Sequence, residues 1–308
     1  MQTILGAGGA IGIELAKALA AYGKPICLVN RNPKPVQPTD ELFTADLSQK
    51  NQVKEAVKGS EVVYLTVGLP YSTKVWERDW IPLMENVLEA CIENQAKLVF
   101  FDNVYMIGGN QVNHITEESP FSPVSRKGKV REALDKMVID AVDKGKLQAI
   151  IARAADFYGR VIEKSLLIEL IHKNLALKKA PQWLCNGKVK HSFTFTPDAG
   201  KATAMLGNTP EAFDQIWNLP TDPTPLSGED WAALFEQAMG VPHKKLQVLP
   251  KIGLKVLGWF VPVMGEFYEM AYQYDRDYFF DSAKFCKAFG FTPTNPQEGI
   301  RQTIEALQ

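Results

Sequence analysis

The segment LGAGGAIG, Leu5 to Gly12, constrains the chain more than any other. It follows a short apolar run, Thr3 to Leu5, and opens a helical stripe of Ile11, Leu15, Leu19 and Tyr22 that Gly23 stops. Gly6, Gly9 and Gly12 stand three apart, and each has a separate task. One permits a tight turn, one lets the backbone approach a pyrophosphate, and one lets the helix pack close to the strand. Around them, Gly8, Ala10 and Ile11 bring backbone N–H groups to the helix start, where nothing inside the helix can accept from them and an anion can. This junction predicts a dinucleotide site at the first strand-to-helix turn.

The rest of the chain continues the same alternation. Strand-like runs occur at 3–5, 26–29, 42–45, 62–67, 98–101 and 148–152, and they are mostly apolar on both faces, as strands of a covered parallel sheet are. Helical patterns separate them. The expected fold is α/β: a Rossmann-like doubly wound parallel sheet with a smaller C-terminal substrate domain. Residues 1–155 form the dinucleotide-binding domain, 190–219 return to it, and 156–308 supply mainly the substrate region. After Arg153 the periodicity loosens, prolines cluster between Leu219 and Pro225, and aromatics crowd Phe267 to Phe280. The most apolar segment, Ile252 to Gly265, is too short to span a bilayer and contains Lys255 and Pro262, so it reads as a core or interface helix without stable membrane insertion, weak membrane contact being the alternative.

The second strand bears on the cofactor. NAD sites usually carry an acid about 20 residues after the glycine turn, which binds the ribose hydroxyls. Here the strand runs into Asn30 and Arg31. Asn30 does not repel a 2′-phosphate, Arg31 can form charge-assisted bonds to it, and Lys34 stands nearby in sequence. NADP is therefore expected over NAD, the competing reading of Arg31 being a solvated loop cation. Asp46 and Leu47 follow the third strand, and the Asp46 carboxylate can either accept from an adenine amino group or cap the helix beginning near Ser48. Val67 and Gly68, after the fourth strand, pass the carboxyl end of the sheet where such ligands sit. A net charge of −1 gives no sign of a nucleic-acid partner. Cys27, Cys91, Cys185 and Cys286 have no metal-like spacing and read as reduced thiols of a cytoplasmic protein, and no leader precedes the first strand.

Together these residues resemble the short-chain dehydrogenase/reductase superfamily, in its extended branch of NAD(P)-dependent epimerases and dehydratases. The glycine turn matches that branch. RAADFYG (Arg153 to Gly159), HSFTFTPDAGKA (His191 to Ala202) and FDSAKFCKAFGFTPT (Phe280 to Thr294) resemble its later segments, so the likeness covers nearly the whole chain. It implies an oxidoreductase or epimerase/dehydratase acting on a hydroxyl or carbonyl of a small organic substrate, sugar derivatives included. It also implies a homodimer, in which the stripe from Trp80 to Cys91 would pair with the helix after Ser125.

In such proteins a Ser follows the fifth strand and a Tyr-x-x-x-Lys motif opens the next helix. Here Asn103 stands at the Ser position, and aligning Lys129 with the motif Lys puts Ser125 where Tyr should be. The chain thus resembles atypical members lacking that Tyr. Lys129 carries over as the residue that holds the nicotinamide ribose. A Ser hydroxyl does not act alone as acid or base near neutrality, so Tyr105 is the candidate phenol, with packing on the cofactor floor as its alternative. Tyr158 is expected against the cofactor. Asp102 and Asp156 are carboxylates that can serve as acid or base, cap a helix or pair with Arg153, and His191 reads as a polar edge residue. The missing Tyr leaves a second function open, a catalytically impaired NADP-binding sensor.

Overall fold

The structure is a computed structural model that describes residues 1–162 and 165–308. Among these residues a seven-stranded parallel sheet is built from β1 (Gln2–Leu5), β2 (Ile26–Asn30), β3 (Glu41–Thr44), β4 (Val62–Leu65), β5 (Lys97–Asp102), β6 (Ala149–Arg153) and a last strand, Gln215–Asn218. Its spatial order is Gln215–Asn218, β6, β5, β4, β1, β2, β3. Helices α1 (Ala10–Leu19), α2 (Lys50–Val57), α3 (Thr73–Glu93) and α4 (Arg126–Asp143) connect the strands, and the helix Thr196–Gly207 leads into the last one. This is the Rossmann-like sheet expected from the alternation. Strands β1, β4 and β6 are buried along their whole length, whereas β3, at the edge, is mostly exposed. The chain leaves β1 toward β2 and β3, then returns to place β4 on the other side of β1. That reversal puts the ends of β1 and β4 at a topological switch point, where open α/β sheets bind ligands.

The chain divides into two units. The first holds residues 1–104, 129–154 and 197–219, and the second holds 105–128, 155–196 and 220–308. The segment 105–128, which the sequence reading keeps with the dinucleotide domain, clusters with the second unit, and the return to the first begins at Pro197 rather than at 190.

Inside the first unit a buried ionic array joins α4 to the ends of β5 and β6. The Arg131 guanidinium donates to Asp102, and Arg153 Nη2 donates to Asp135 Oδ2 at 2.7 Å. All four side chains are buried. Buried charges are tolerated only when paired. The Arg131 guanidinium also lies over the rings of Trp80 at 4.5 Å, Phe100 at 5.3 Å and Trp76 at 5.5 Å, so its flat faces meet aromatic surface while its edge meets carboxylate. Burial, then the neighbouring Asp102 charge, push the Asp135 carboxyl well above its usual range against the pull of Arg153. Asp102 is therefore held by Arg131, and Arg153 takes Asp135.

The second unit is made of short strand pairs. Asp156–Tyr158 runs parallel to Phe193–Phe195, Gln182–Leu184 parallel to Gln247–Leu249, and Lys190–His191 antiparallel to Leu226–Ser227. The core beneath them is aromatic: Tyr158, Trp183, Phe193, Phe195, Trp231 and Phe235. The helix Gly228–Met239 closes this core and starts with a capping box, in which Ser227 accepts from the Asp230 N–H and Asp230 accepts from the Ser227 N–H. The Tyr158 ring stands 5.2 Å from Phe195 and 5.3 Å from Trp231, and Gly299 leaves room for its hydroxyl. The residue expected against the cofactor is thus buried in the core of the second unit, where two aromatic neighbours and a glycine shape its place.

The ionic array generates a stability prediction. Arg131→Met leaves Asp102 buried with no cation on it and is expected to cost about 3–5 kcal/mol. The double change Arg131→Met with Asp102→Asn is expected to cost less than Arg131→Met alone, because no unpaired charge remains. Urea unfolding of the three chains measures both differences.

Candidate functional site

The turn after β1 is fixed by backbone contacts. Gly6 has φ of 95°, and a Cβ there would stand 2.5 Å from the backbone of Val67, so only glycine lets the two strand ends meet. The Gly6 and Ala7 N–H groups donate to the Val29 carbonyl at 3.0 and 3.2 Å, which ties the turn to β2. A Cβ on Gly12 would come within 2.8 Å of the Ala7 Cα, so this glycine sets how closely α1 approaches the turn. Gly9 differs: a Cβ on it meets nothing nearer than the Gly6 carbonyl at 3.8 Å. The protein does not use the space over Gly9, although that residue is the N-cap of α1. The helix start carries no side-chain cap and no acid in its first turn. A cradle open over Gly9, beside uncapped N–H groups from Ala10, Ile11 and Gly12, fits a pyrophosphate.

Two clefts meet at the end of β2. One of about 660 Å³ is lined by Gly6, Gly9, Asn30, Arg31, Asp46, Leu47, Val67 and Gly68 among others. The other, of about 650 Å³, is lined by Gly8, Lys17, Asn30, Arg31 and Lys34 among others. Asn30 and Arg31 border both. The Asn30 Oδ1 accepts from the Arg31 N–H at 2.7 Å, while its amide nitrogen lies where a side chain on Gly8 would be. Asp46 Oδ1 accepts from the Ser48 N–H at 3.0 Å. That bond, a second one from the Ser48 side chain and the Arg31 charge hold the Asp46 carboxyl below its usual range. Asp46 closes the turn before α2, whose N-cap is Gln49.

The catalytic candidates from the sequence are placed less uniformly. Asn103 directly follows β5, and its N–H donates to Asp102 Oδ1 at 2.7 Å, so the ionic array also sets the backbone at Asn103. In the second unit, Ser125 Oγ accepts from the Gly128 N–H at 2.9 Å and caps the first turn of α4. A side chain on Gly128 would collide with the Tyr105 carbonyl, which itself accepts from the Tyr272 hydroxyl at 3.2 Å. The Tyr105 backbone, Ser125 and Tyr272 are therefore gathered together. Burial outweighs the Ser125 hydrogen bond and pushes the Tyr272 phenol up, out of the range of an acid or base near neutrality.

Lys129 is exposed, whereas Lys127 and Arg131 on either side of it are buried. Residues four apart share a helix face and the residue midway between them points away, so the buried cations of α4 are Lys127 and Arg131. Lys127 Nζ donates to Glu266 and, at 2.9 Å, to Glu269 Oε2. Glu269 Oε1 accepts the N–H groups of Arg126 and Lys127, the latter at 3.1 Å. His191, expected at a polar edge, is buried between the rings of Tyr274 at 4.6 Å and Tyr278 at 4.4 Å. Its Nε2 lies 3.0 Å from Asp156 Oδ2 and its Nδ1 lies 3.1 Å from the Gln273 carbonyl. Asp156 also accepts from the Tyr274 hydroxyl, so its partners are His191 and Tyr274. The signal for Lys127 and Arg131 was their spacing of four, with Lys129 midway between them. Nothing local announced the His191 cluster, because its members are distant in sequence.

A glycine turn open to a pyrophosphate at the switch point of a doubly wound parallel sheet defines a nicotinamide-dinucleotide enzyme of the Rossmann class. The NAD dependent epimerase/dehydratase family matches over residues 3–219, and the chain belongs to that family. Comparison with curated protein sequences gave no match. Among solved structures, the chain is similar to a dTDP-glucose 4,6-dehydratase, DesIV, of Streptomyces venezuelae with NAD bound, at 13% identity and a TM-score of 0.80 over 99% of this chain and 96% of that one. It is also similar to a UDP-glucose 4-epimerase of Thermus thermophilus in complex with NAD, at 18% identity and a TM-score of 0.78 over 99% and 98% of the two chains. A third is MoeE5 in complex with UDP-glucose and NAD, at 20% identity and a TM-score of 0.79, again over 99% and 98%.

The unequal surroundings of the glycines give a test of the turn. Serine is a good N-cap, so Gly9→Ser is expected to leave the melting temperature unchanged or slightly raised while weakening dinucleotide binding at least about tenfold by filling the cradle. Gly12→Ser is expected to weaken binding and also to cost about 1–3 kcal/mol of stability through overpacking on Ala7. Calorimetric titration and thermal melting of both variants measure the two effects.

Proposed function

We propose that the chain is an NADP-dependent epimerase or dehydratase that acts on a hydroxyl of a sugar nucleotide. The observation that carries the cofactor choice is the pair Asn30–Arg31 at the end of β2, bordering both clefts, with Lys34 on the second. An acid at that point would repel a 2′-phosphate, whereas the amide and the two cations attract it. Asp46, an acid lining the cleft, is engaged by Ser48 and sits under the influence of Arg31. The substrate class is supported by the printed ligands of the similar structures, which include UDP-glucose.

A nicotinamide dinucleotide held in this cleft would supply reversible hydride transfer with a substrate carbon. The chain's own residues do the remaining work. The N–H groups of Ala10, Ile11 and Gly12 would hold the pyrophosphate and Gly9 would leave it room, while Gly6 and Gly8 let Val67 and Asn30 close up to the turn and Val67 and Gly68 line the cleft at the end of β4. Leu47 would cover the adenine, and the Asp46 carboxylate would accept from its amino group. In this reading Asn103 or Tyr105 polarises the substrate oxygen. Ser125 is assigned to capping α4, and Lys129, being exposed, is assigned no part in proton transfer.

Removing a charge-assisted bond to the phosphate is worth about 1.5–3 kcal/mol, so Arg31→Ala is expected to raise the Kd for NADP about 10- to 100-fold and that for NAD less than about threefold. Calorimetry with both dinucleotides measures this, and tighter wild-type binding of NAD than of NADP overturns the cofactor assignment. For the chemistry, turnover of a panel of nucleotide sugars with NADP is followed by chromatography. Tyr105→Phe is expected to lower kcat at least about 100-fold with the Kd for NADP unchanged. Wild-type inactivity on the whole panel, with NADP bound, overturns the substrate class.

A further inference from the structure

The helical hairpin formed by Lys251–Leu257 and Pro262–Glu269 in the second unit presents an apolar face that the fold leaves open. Trp259 and Phe260, at its tip, are 74% and 77% exposed, and Ile252 is 65% exposed. Ile252, Val256 and Leu257 on the first helix, Val261 in the connection and Val263 on the second are exposed with them. The sequence reading placed this segment in a core or an interface, and the core is not where it lies. Nor is it a loose loop. Leu254, on the inner side, is buried with Ala271 and Tyr274. A Cβ on Gly258 would come within 2.9 Å of the Gly265 backbone, so the two helices touch at their glycines. The base is fastened by Glu266 and Glu269 to the buried Lys127. The hairpin is held from within and apolar outside.

Its surroundings are basic. From Val241 to Gly265 the chain contains Lys244, Lys245, Lys251 and Lys255 and no Asp or Glu, in a protein of net charge −1. The pairing of Gln182–Leu184 with Gln247–Leu249 brings Lys178 and Lys179 alongside, and Lys244 Nζ donates to the Lys178 carbonyl. Among these six lysines and the described residues, an ion pair to a carboxylate is formed by Lys251 alone, with Asp275 at 2.8 Å. Leu177, 65% exposed, adds apolar surface beside Lys178.

We propose that this hairpin docks the protein on the surface of a bilayer carrying anionic lipid headgroups. Trp259 and Phe260 enter the interfacial layer while Lys178, Lys179, Lys245 and Lys255 face the headgroup phosphates. The combination of an aromatic-apolar tip with flanking cations matches that surface in both polarity and charge. A second copy of the chain matches it poorly, because a two-fold contact through the same face brings the lysines of one copy against those of the other. The docking is peripheral, since no helix among the described residues is long and apolar enough to cross a membrane. The proposal does not rest on the cofactor or substrate assignment.

Flotation of the full chain with vesicles of phosphatidylcholine, with and without phosphatidylglycerol, tests it. The expected result is at least about tenfold more protein on the mixed vesicles than on phosphatidylcholine alone, declining as salt is raised. Trp259→Ser with Phe260→Ser, and separately Lys178→Glu with Lys255→Glu, are expected to reduce that binding at least about tenfold while keeping the wild-type melting temperature and dinucleotide affinity. Three results overturn the proposal: no flotation of the wild type, equal flotation on both vesicle types, or variants that float as the wild type does. A dimer seen by light scattering that the aromatic variant abolishes, from a wild type that ignores vesicles, would assign the face to a second copy instead.

Discussion

The contact between Gly6 and the Val67 backbone is the constraint from which the functional half of this molecule follows. Two parallel strands, β1 and β4, end side by side, and the chain must turn away from each of them within a residue or two. Where the ends come this close there is no volume for a side chain at position 6, and the φ of 95° at that residue is one that glycine alone adopts without strain. The tight turn then points the first N–H groups of α1 outward over the sheet edge. The anion site is therefore a by-product of strand packing, and it requires no charged side chain. That explains why this end of the cleft is made of backbone, while side chains, Asn30 and Arg31 among them, line it one strand away.

How much was legible in the sequence follows the same division. The glycine turn and six strands could be read because their signals are local: three glycines at fixed spacing, and short apolar runs bounded by breakers. The last strand, Gln215–Asn218, is no apolar run, since it begins and ends on an amide side chain, and it is held in the sheet by pairing with β6. The membership of 105–128 in the second unit was hidden for a similar reason, since its hydrogen bonds run to distant chain, as from the Ile115 N–H to the Phe279 carbonyl at 2.8 Å.

Side-chain roles were harder than elements. Lys129 looked like the functional cation of α4 because a motif was aligned by residue type. Helical geometry buries Lys127 and Arg131 and turns Lys129 to solvent. Ser125 was weighed as a replacement for an acid–base group, yet at a helix start the backbone N–H of Gly128 competes for its oxygen and wins. Tyr158 and His191 show the converse. Each is a polar aromatic that sequence alone places near a ligand or an edge, and each is drawn into the core of the second unit because neighbouring rings, and for His191 a carboxylate and a carbonyl, satisfy it there.

The distribution of charge separates two kinds of buried polar group in this chain. Asp102, Arg131, Asp135 and Arg153 form an array whose members meet one another across α4 and the ends of two strands, and one of them, Asp102, also receives the N–H of Asn103. An array of this kind is a poor source of net stability, because desolvation consumes most of the attraction. It is a good source of position, because every alternative arrangement leaves a charge unpaired in a low-dielectric interior. The backbone at Asn103 inherits that precision. Lys127 plays the matching part in the second unit: with Glu266 and Glu269 around it, the hairpin base has one register against the start of α4. A face that projects Trp259 and Phe260 outward needs such an anchor, since apolar side chains on an unanchored hairpin would fold back onto the protein.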